Sequence, residues 1–206
     1  MFDRNQIASL IEACRDVILR NEDYLCELDR AIGDGDHGTN MARGLNAVVS
    51  EREHLSELPF DEALSSIGNL LVMNIGGASG PLYGTLLIEL GKGVRNNLDF
   101  DQSLLNAIHA VAKRGRSDFG DKTILDVLYP LQTAVTEHLT IPEISDIGWQ
   151  AALMTTPLRA NRGRASFLGD RSIGHMDPGA ASCALLAKSI CETLSNMQTL
   201  PEVKCA

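Results

Sequence analysis

Apolar residues recur every three or four positions along most of this 206-residue chain, and no long segment alternates apolar with polar residues. A spacing of three to four places side chains on one face of an α-helix, whereas strict alternation is typical of a half-buried strand. Aromatic residues make up only 4% of the chain, and Ala, Leu and Ile carry the pattern. The pattern therefore predicts an all-α protein.

The first helix is predicted from a stripe formed by Ile7, Leu10, Ile11, Cys14, Val17 and Ile18. Further helices are predicted over 23–32, 39–52, 60–75, 80–97, 101–115, 121–139, 143–160 and 178–197. Three starts place a polar residue just before a proline, at Ser79, Thr140 and Asp177, which suits the first turn of a helix. Pro130 lies within an apolar helical pattern and predicts a kink or an interruption. About eight amphipathic helices with short loops predict an antiparallel up-and-down bundle or barrel.

The size and composition of the chain favour one domain spanning residues 1–206. Hydrophobic residues make up 44% of the sequence, which is enough for one substantial core. No Ser/Gly/Pro-rich linker is long enough to separate two domains. Acidic residues outnumber basic ones by 27 to 18, which gives a net charge of −9. Nucleic acid is therefore not an expected partner.

Cysteine usage and the N-terminus indicate a cytoplasmic protein. The five cysteines show no CxxC spacing and mostly lie within apolar helical patterns, as expected for reduced thiols: Cys14, Cys26, Cys183, Cys191 and Cys205. The first residues lack a basic stretch followed by an apolar run, and no stretch approaches about 18 uninterrupted apolar residues. We therefore expect a protein that is neither exported nor embedded in a membrane.

Three carboxylates are concentrated between two predicted helices, at Asp29, Asp34 and Asp36. Gly33 and Gly35 permit backbone conformations that could fold these carboxylates onto one point. An oxygen-only ligand set without cysteine favours a hard cation, and magnesium is usually held by carboxylates together with substrate phosphates. The motif predicts a divalent-metal site.

Two other interpretations of this acidic turn compete with a magnesium site. Acidic turns are common, so Asp34 and Asp36 could cap the following helix while Asp29 lies on a solvated face. The motif also resembles half of a calcium-binding EF-hand loop. No glutamate stands at the twelfth position counted from Asp34, so calcium is a weak fit.

Three further polar segments contain residues suited to phosphate. Segment 76–85 is a small-residue loop that opens a helix, and its backbone N–H groups could bind an anion; it could instead be a point of close helix contact. It lacks the Lys-[Ser/Thr] ending of a Walker A loop. Segment 161–180 contains three arginines, which either bind phosphate or balance nearby acids. Segment 115–123 adds glycine, acid and base before a helix. Together these segments describe a nucleotide site.

Two of the five histidines, His37 and His175, lie in glycine-rich loops, where phosphate contact or hydrogen bonding is the favoured role. His54, His109 and His138 lie on ordinary helical faces, as surface or packing residues do. No serine or cysteine near either loop histidine has the spacing of a nucleophile elbow, so a hydrolase triad has little support.

Four motifs together resemble the nucleotide-binding subunit of dihydroxyacetone kinase, the DhaL family: GDGDHGTNM (33–41), GGASGPLYGT (76–85), GDKTILD (120–126) and GRASFLGDRSIGHMDPGA (163–180). The resemblance follows the same order over essentially the whole chain. It implies an eight-helix antiparallel barrel that binds ADP or ATP at one end with two magnesium ions. The metal ligands it implies are Asp29, Asp34 and Asp36.

The resemblance also implies which residues contact the nucleotide. With Gly77 of the small-residue loop, these are His37, Gly38, Thr39, Asn40, Ala78, Ser79, Gly115, Ile124, Arg164, Asp177, Pro178 and Gly179. We assign catalytic roles to Arg164 and His37, because phosphoryl transfer depends on positioning and charge neutralisation. No residue of this chain stands out as a general base.

The resemblance further implies that the chain works with partners. In this family a separate K subunit binds the triose covalently, and this chain is too short to contain it. A phosphohistidine protein of the phosphotransferase system is the expected phosphate donor to bound ADP. The alternatives are a subunit of an ATP-exchanging kinase for another short ketose, and a non-catalytic nucleotide-bound adaptor. The sequence leaves open whether the chain forms a homodimer.

Overall fold

Ten α-helices and one 3₁₀ segment account for the regular structure of residues 3–199, which are the residues that the computed structural model describes. The helices are α1 (Arg4–Arg20), α2 (Glu22–Ile32), α3 (His37–Ser50), α4 (Arg52–Glu57), α5 (Phe60–Asn74), α6 (Ser79–Arg95), α7 (Phe100–Gly115), α8 (Leu125–Thr136), α9 (Ile141–Met154) and α10 (Pro178–Thr199). The 3₁₀ segment is Arg164–Ser172. The described residues contain no strand, and the all-α prediction is confirmed.

Eight of the helices form a closed ring. Going round it, α1, α3, α5, α6, α7, α8, α9 and α10 each pack against the next, and α10 returns to α1. Helix α2 packs on α3 and α10, and the short α4 packs mainly on α1. Arg15 of α1 pairs with Asn46 of α3, and Glu12 of α1 pairs with Arg52, just beyond the end of α3, so α1 and α3 are antiparallel. The predicted eight-helix up-and-down barrel is confirmed, with α2 and α4 as additions.

The apolar stripes of the helices meet inside this ring. Ile18, Leu25, Ile108, Val111 and Leu125 are fully buried, as the spacing of the apolar positions predicts. Burying a side chain of this size stabilises the folded state by about 1.5–3 kcal/mol. The helical pattern of the sequence thus specifies which face of each helix lies in the core.

Glycines allow α5 and α6 to approach backbone to backbone. A methyl group on Gly68 would lie 2.8 Å from the Gly84 carbonyl oxygen, and one on Gly84 would lie 2.7 Å from the Gly68 carbonyl oxygen. No other residue type fits at either position without separating the helices. This close contact holds the N-terminal half of α6 against α5, and the small-residue loop joins the two helices.

Three predicted helix features differ in the structure. The helix predicted over 121–139 begins only at Leu125, because the Asp126 carboxylate accepts hydrogen bonds from the backbone of Gly120 and Thr123 and shapes 120–124 as a loop. The helix predicted over 143–160 covers Ile141–Met154. Pro130 does not interrupt α8, which runs unbroken over Leu125–Thr136, and the predicted kink stays a prediction.

Four cysteines in the described part of the chain are free thiols, in agreement with the sequence prediction; Cys205 lies outside the described residues. No helix within residues 3–199 combines the length and the apolar character needed to cross a bilayer. The predicted single domain over residues 1–206 stays a prediction.

Candidate active site

A cavity of about 470 Å³ opens at one end of the ring. Helices α3, α6 and α10 begin there, α7 ends there, and the segment 161–177, which we call the closing segment, lies across its edge. Three helix N-termini directed at one space favour an anionic ligand, because each carries a partial positive charge and unpaired N–H groups. The structure thereby brings together four sequence segments that are far apart in the chain.

Most of the predicted site residues line this cavity. They are Asp29, Asp34, Asp36, His37, Asn40, Gly77, Ala78, Ser79, Gly115, Ile124, Arg164, Asp177, Pro178 and Gly179.

Gly38 and Thr39 lie outside the cavity lining. The Thr39 hydroxyl donates to Glu22 Oε1 at 3.1 Å and lies 3.6 Å from the Cys26 sulfur. A methyl group on Gly38 would overlap the Glu22 carbonyl oxygen and crowd the Cys26 sulfur. In this structure both residues hold α3 close to α2, which explains their residue types without a nucleotide contact.

The three predicted metal-ligand carboxylates converge at the mouth of the cavity. One oxygen each from Asp29, Asp34 and Asp36 lies within 4.8 Å of the others. Asp29 is less exposed than Asp34 and Asp36. Three carboxylate oxygens in one small volume, open on one side, form a donor set that suits magnesium and leaves room for phosphate oxygens. The residues present therefore fit a magnesium site.

The geometry of Asp29 argues against an ordinary helix cap. Asp36 occupies the N-cap position of α3, but its side chain makes no capping hydrogen bond. Instead, Asp29 Oδ2 accepts the backbone N–H groups of Asp36 at 2.9 Å and of His37 at 3.2 Å. A methyl group on Gly33 would overlap Asp29 Oδ1. Asp29 thus organises the turn, and the carboxylates of the two later aspartates remain available to a ligand.

Arg164 connects the closing segment to this turn. Its guanidinium forms an ion pair with the Asp34 carboxylate, and its side chain remains 65% exposed. Gly163, immediately before it, has φ of 66°, a conformation that favours glycine and turns the chain toward the cavity. The planar guanidinium is thus placed beside the carboxylates, where a phosphate group would also lie.

His37 is held by hydrogen bonds on both ring nitrogens. Its Nδ1 lies 3.3 Å from Ser79 Oγ and its Nε2 lies 2.9 Å from Ser182 Oγ. Ser182 Oγ also lies 2.8 Å from the Tyr83 hydroxyl and donates to the Gly179 carbonyl at 3.0 Å. One assignment satisfies every group: Ser182 receives the Tyr83 hydroxyl and the His37 Nε2 hydrogens, and Ser79 donates to Nδ1.

This network occupies both ring nitrogens of a buried imidazole. Burial lowers the pKa of His37 below its usual value, while the charges of Asp29 and Asp36 act in the opposite direction. With both nitrogens occupied, the ring orients the Ser79 hydroxyl at the start of α6.

Comparisons with known proteins identify the family of this chain. A model of the DAK2 domain matches residues 31–192. This chain belongs to the DAK2 domain family. Its DAK2 domain includes the Asp34–Asp36 turn, the small-residue loop, the closing segment and the start of α10.

Two relatives carry the DhaL name and match nearly end to end. The ADP-binding subunit DhaL of PEP-dependent dihydroxyacetone kinase 1 from Listeria innocua is 40% identical over 85% of this chain and 89% of its own length. The ADP-binding subunit DhaL of the PEP-dependent dihydroxyacetone kinase from Escherichia coli is 36% identical over 91% of this chain and 95% of its own length. The chain is therefore a DAK2-family protein of the DhaL type.

A solved structure shares the fold. The dihydroxyacetone kinase from C. freundii, in complex with AMP-PNP and Mg²⁺, matches with a TM-score of 0.74 and 25% identity over 91% of this chain. The match covers 33% of that kinase, so this DAK2 chain spans about a third of its length.

Sequence reasoning missed several residues that shape the site of this DAK2 domain. Tyr83 and Ser182 complete the His37 network, yet Ser182 stands 145 residues from His37 and lies in an unremarkable small-residue run. Lys122, within the quoted GDKTILD motif, is fully buried and lines the cavity. The sequence signal that could have identified Lys122 was its position inside a glycine- and acid-rich motif.

Asp177, a predicted nucleotide contact, immediately precedes α10 and is electrostatically unusual. Its Oδ2 accepts the Ala180 N–H at 2.7 Å. Burial raises the pKa of Asp177 to about 7, and the Asp126 and Asp29 carboxyl groups act in the same direction, while the Ala180 N–H and the Lys122 ammonium oppose the rise. A carboxyl group that titrates near neutrality lies at the cavity wall.

Proposed function

We propose that this chain is the nucleotide-binding subunit of a dihydroxyacetone kinase. It binds ADP or ATP in the end cavity and transfers the γ-phosphate to dihydroxyacetone held by a separate K subunit. The convergence of three carboxylates at the mouth of a cavity bordered by three helix N-termini carries this proposal. The two DhaL relatives, described as ADP-binding subunits, support it. We place the reaction in the cytoplasm.

We propose that Asp29, Asp34 and Asp36 hold two magnesium ions when nucleotide is bound. Magnesium supplies charge neutralisation at the phosphate oxygens. Asp29 has an additional task, because its hydrogen bonds to the backbone of Asp36 and His37 hold the turn on which the other two ligands lie.

The chain's own residues then bind and orient the phosphates. The amides of Gly77–Gly80 and the N-terminus of α6 bind phosphate oxygens, and His37 holds the Ser79 side chain in place at the start of that helix. Arg164 moves its ion pair from Asp34 to the transferring phosphate and stabilises charge in the transition state. Such transfers need positioning and charge stabilisation more than covalent chemistry from the protein.

The acceptor hydroxyl is deprotonated by the partner in this proposal. His37 lines the cavity, but both of its ring nitrogens are hydrogen-bonded to serine hydroxyl groups and are not free to accept the proton of the acceptor hydroxyl. We therefore assign activation of the triose to the K subunit, and rephosphorylation of the bound ADP to a phosphohistidine protein of the phosphotransferase system. The relatives described as PEP-dependent favour this donor over free ATP.

Reconstitution tests the kinase proposal against its alternatives. The chain is mixed with a K subunit, Mg²⁺ and dihydroxyacetone, and dihydroxyacetone phosphate is measured with either the phosphotransferase-system proteins and phosphoenolpyruvate or ATP as donor. Product with the first donor supports the proposal. Product with ATP alone supports an ATP-exchanging kinase, and the absence of product with both donors supports a nucleotide-bound adaptor.

Nucleotide retention tests the site itself. Purified wild-type protein should release one ADP on denaturation, measured by its absorbance at 260 nm and by chromatography. Asp34→Asn should abolish this retention and leave the helical circular dichroism unchanged, whereas Asp146→Asn, at an exposed position of α9, should retain ADP. Full retention by Asp34→Asn would overturn the metal assignment.

A further inference from the structure

Lys122 is an unusual residue in the wall of the cavity. It is only 1% exposed, and it has φ of 62°, in the left-handed region that a lysine seldom adopts. Buried lysines are rare, because removing an ammonium group from water is unfavourable unless its hydrogens are bonded. An ammonium group in this position requires a specific set of partners.

The structure supplies that set from main-chain carbonyls. Lys122 Nζ donates to Thr155 O at 2.8 Å, to Leu158 O at 3.1 Å and to His175 O. An ammonium group has three hydrogens, so all of its donors are used. Within residues 3–199, no carboxylate forms an ion pair with Lys122.

The first two carbonyls lie at the end of α9 and just after it. Thr155 is the C-cap residue of α9 and Leu158 lies three residues further on. The C-terminus of a helix carries a partial negative charge, which stabilises a nearby cation. Burial lowers the pKa of Lys122, and the negative charges of Asp177 and Asp126 oppose this effect. The carbonyl acceptors and the nearby negative charges therefore both stabilise a charged ammonium group at this position.

The third carbonyl joins Lys122 to the closing segment. His175 stands two residues before Asp177, and the Asp177 N–H donates to the Thr155 hydroxyl at 3.0 Å. On the other side, Thr123 and Ile124 directly follow Lys122 and line the cavity. One side chain therefore ties together the loop before α8, the end of α9 and the entry to α10.

We propose that Lys122 is a positioning residue for the cavity wall at Thr123 and Ile124, and that this wall receives the nucleoside, because the carboxylates and the helix N-termini bind the phosphates in the proposed function. The inference rests on the proposed nucleotide function. The carboxylates and the Gly77–Gly80 loop, which bind phosphate in that proposal, lie on other segments, and all three hydrogens of the Lys122 ammonium group are donated to main-chain carbonyls elsewhere. Loss of Lys122 should therefore weaken binding of the nucleoside part and spare binding of the phosphates.

Isothermal titration calorimetry with two probes tests this separation. ADP and inorganic pyrophosphate, each in the presence of Mg²⁺, are titrated separately into nucleotide-free wild-type protein and into the Lys122→Met variant. Methionine keeps an apolar side chain but has no N–H donors. We expect about a tenfold loss of ADP affinity, the size expected when one buried hydrogen-bonding group is removed. Pyrophosphate affinity should stay within twofold of wild type. Lys188→Met, at a half-exposed position of α10, is the matched control and should bind both probes as wild type does.

A second variant keeps the test decisive if Lys122→Met does not fold. Lys122→Gln retains two N–H donors, so its ADP affinity should fall between those of wild type and Lys122→Met. Unchanged ADP affinity in a folded variant overturns the inference and leaves the proposed function standing. Equal loss of both probes also overturns it, because it indicates general damage to the site. Failure of wild-type protein to bind ADP overturns the proposed function instead.

Discussion

His37 and Ser182 lie 145 residues apart in sequence, and their side chains form a buried hydrogen bond of 2.9 Å. The bond joins the first turn of α3 to the second turn of α10, and α2 packs against both of these helices. The serine hydroxyl is the common partner of His37, Tyr83 and the Gly179 carbonyl. It therefore links the start of α3, which follows the acidic turn, to α6 and to the start of α10.

Removing this hydroxyl should destabilise the protein. Ser182→Ala leaves the His37 Nε2–H without its buried acceptor and leaves the Tyr83 hydroxyl with only the longer bond to the Gly179 carbonyl at 3.4 Å, so we expect a loss of about 1–3 kcal/mol in the free energy of unfolding. Urea unfolding followed by circular dichroism measures the change. Ser50→Ala is the matched control, because it removes a serine bond to the carbonyl three residues earlier at an exposed position. Its effect should stay below about 0.5 kcal/mol.

A methyl group at Gly38 should separate α2 from α3. Gly38→Ala places a carbon atom into the Glu22 carbonyl oxygen, and we expect a loss of about 2 kcal/mol or more in unfolding free energy. Gly120→Ala provides the comparison: Gly120 has φ of 89° with open space around it, so only backbone strain of about 1 kcal/mol is expected there. A smaller effect at Gly38 than at Gly120 would contradict the proposed tight contact.

Asp177 should make the stability of the nucleotide-free protein depend on pH. Burial raises its folded-state pKa from 3.8 to about 7, so between these values the folded state binds more protons than the unfolded state. Its contribution to stability is then fully present below about pH 4 and decreases as pH rises toward 7, by at most about 1.4 kcal/mol per pH unit.

Asp177→Asn isolates this contribution, because asparagine also caps helices but does not titrate. Urea unfolding at pH 5 and pH 8 should show that wild-type protein loses more stability across this range than Asp177→Asn. Identical pH dependence of the two proteins would show that Asp177 titrates below this range.

Arg164 should matter for nucleotide binding and little for folding. Its side chain is 65% exposed, and exposed ion pairs contribute about 0–1 kcal/mol to stability. We expect Arg164→Met to weaken ADP binding about tenfold, since a charged hydrogen bond to phosphate is lost, and to shift the melting temperature only slightly. Calorimetry and thermal melting measure the two effects. Arg159→Met, which removes a similarly exposed ion pair with Asp170, should leave ADP affinity unchanged.

The sequence was informative wherever the determining interactions are local. The spacing of apolar residues predicted the helices, because neighbouring turns of one helix share a face. The acidic turn was predictable for the same reason: Asp29, Asp34 and Asp36 lie within eight consecutive residues, and Gly33 allows the chain to fold them together. Local motifs also predicted most of the residues that line the cavity.

The tertiary structure decided what depends on residues that are distant in the chain. The start of α8 at Leu125, the serine partner of His37 and the burial of Lys122 arise from contacts that no local pattern encodes. Lysine is usually exposed, so its residue type predicted the opposite of its position. By itself the sequence determined the helical class, the carboxylate cluster and the family motifs. Only the closure of the ring, which places separate segments at one end, determined how those motifs form a single site.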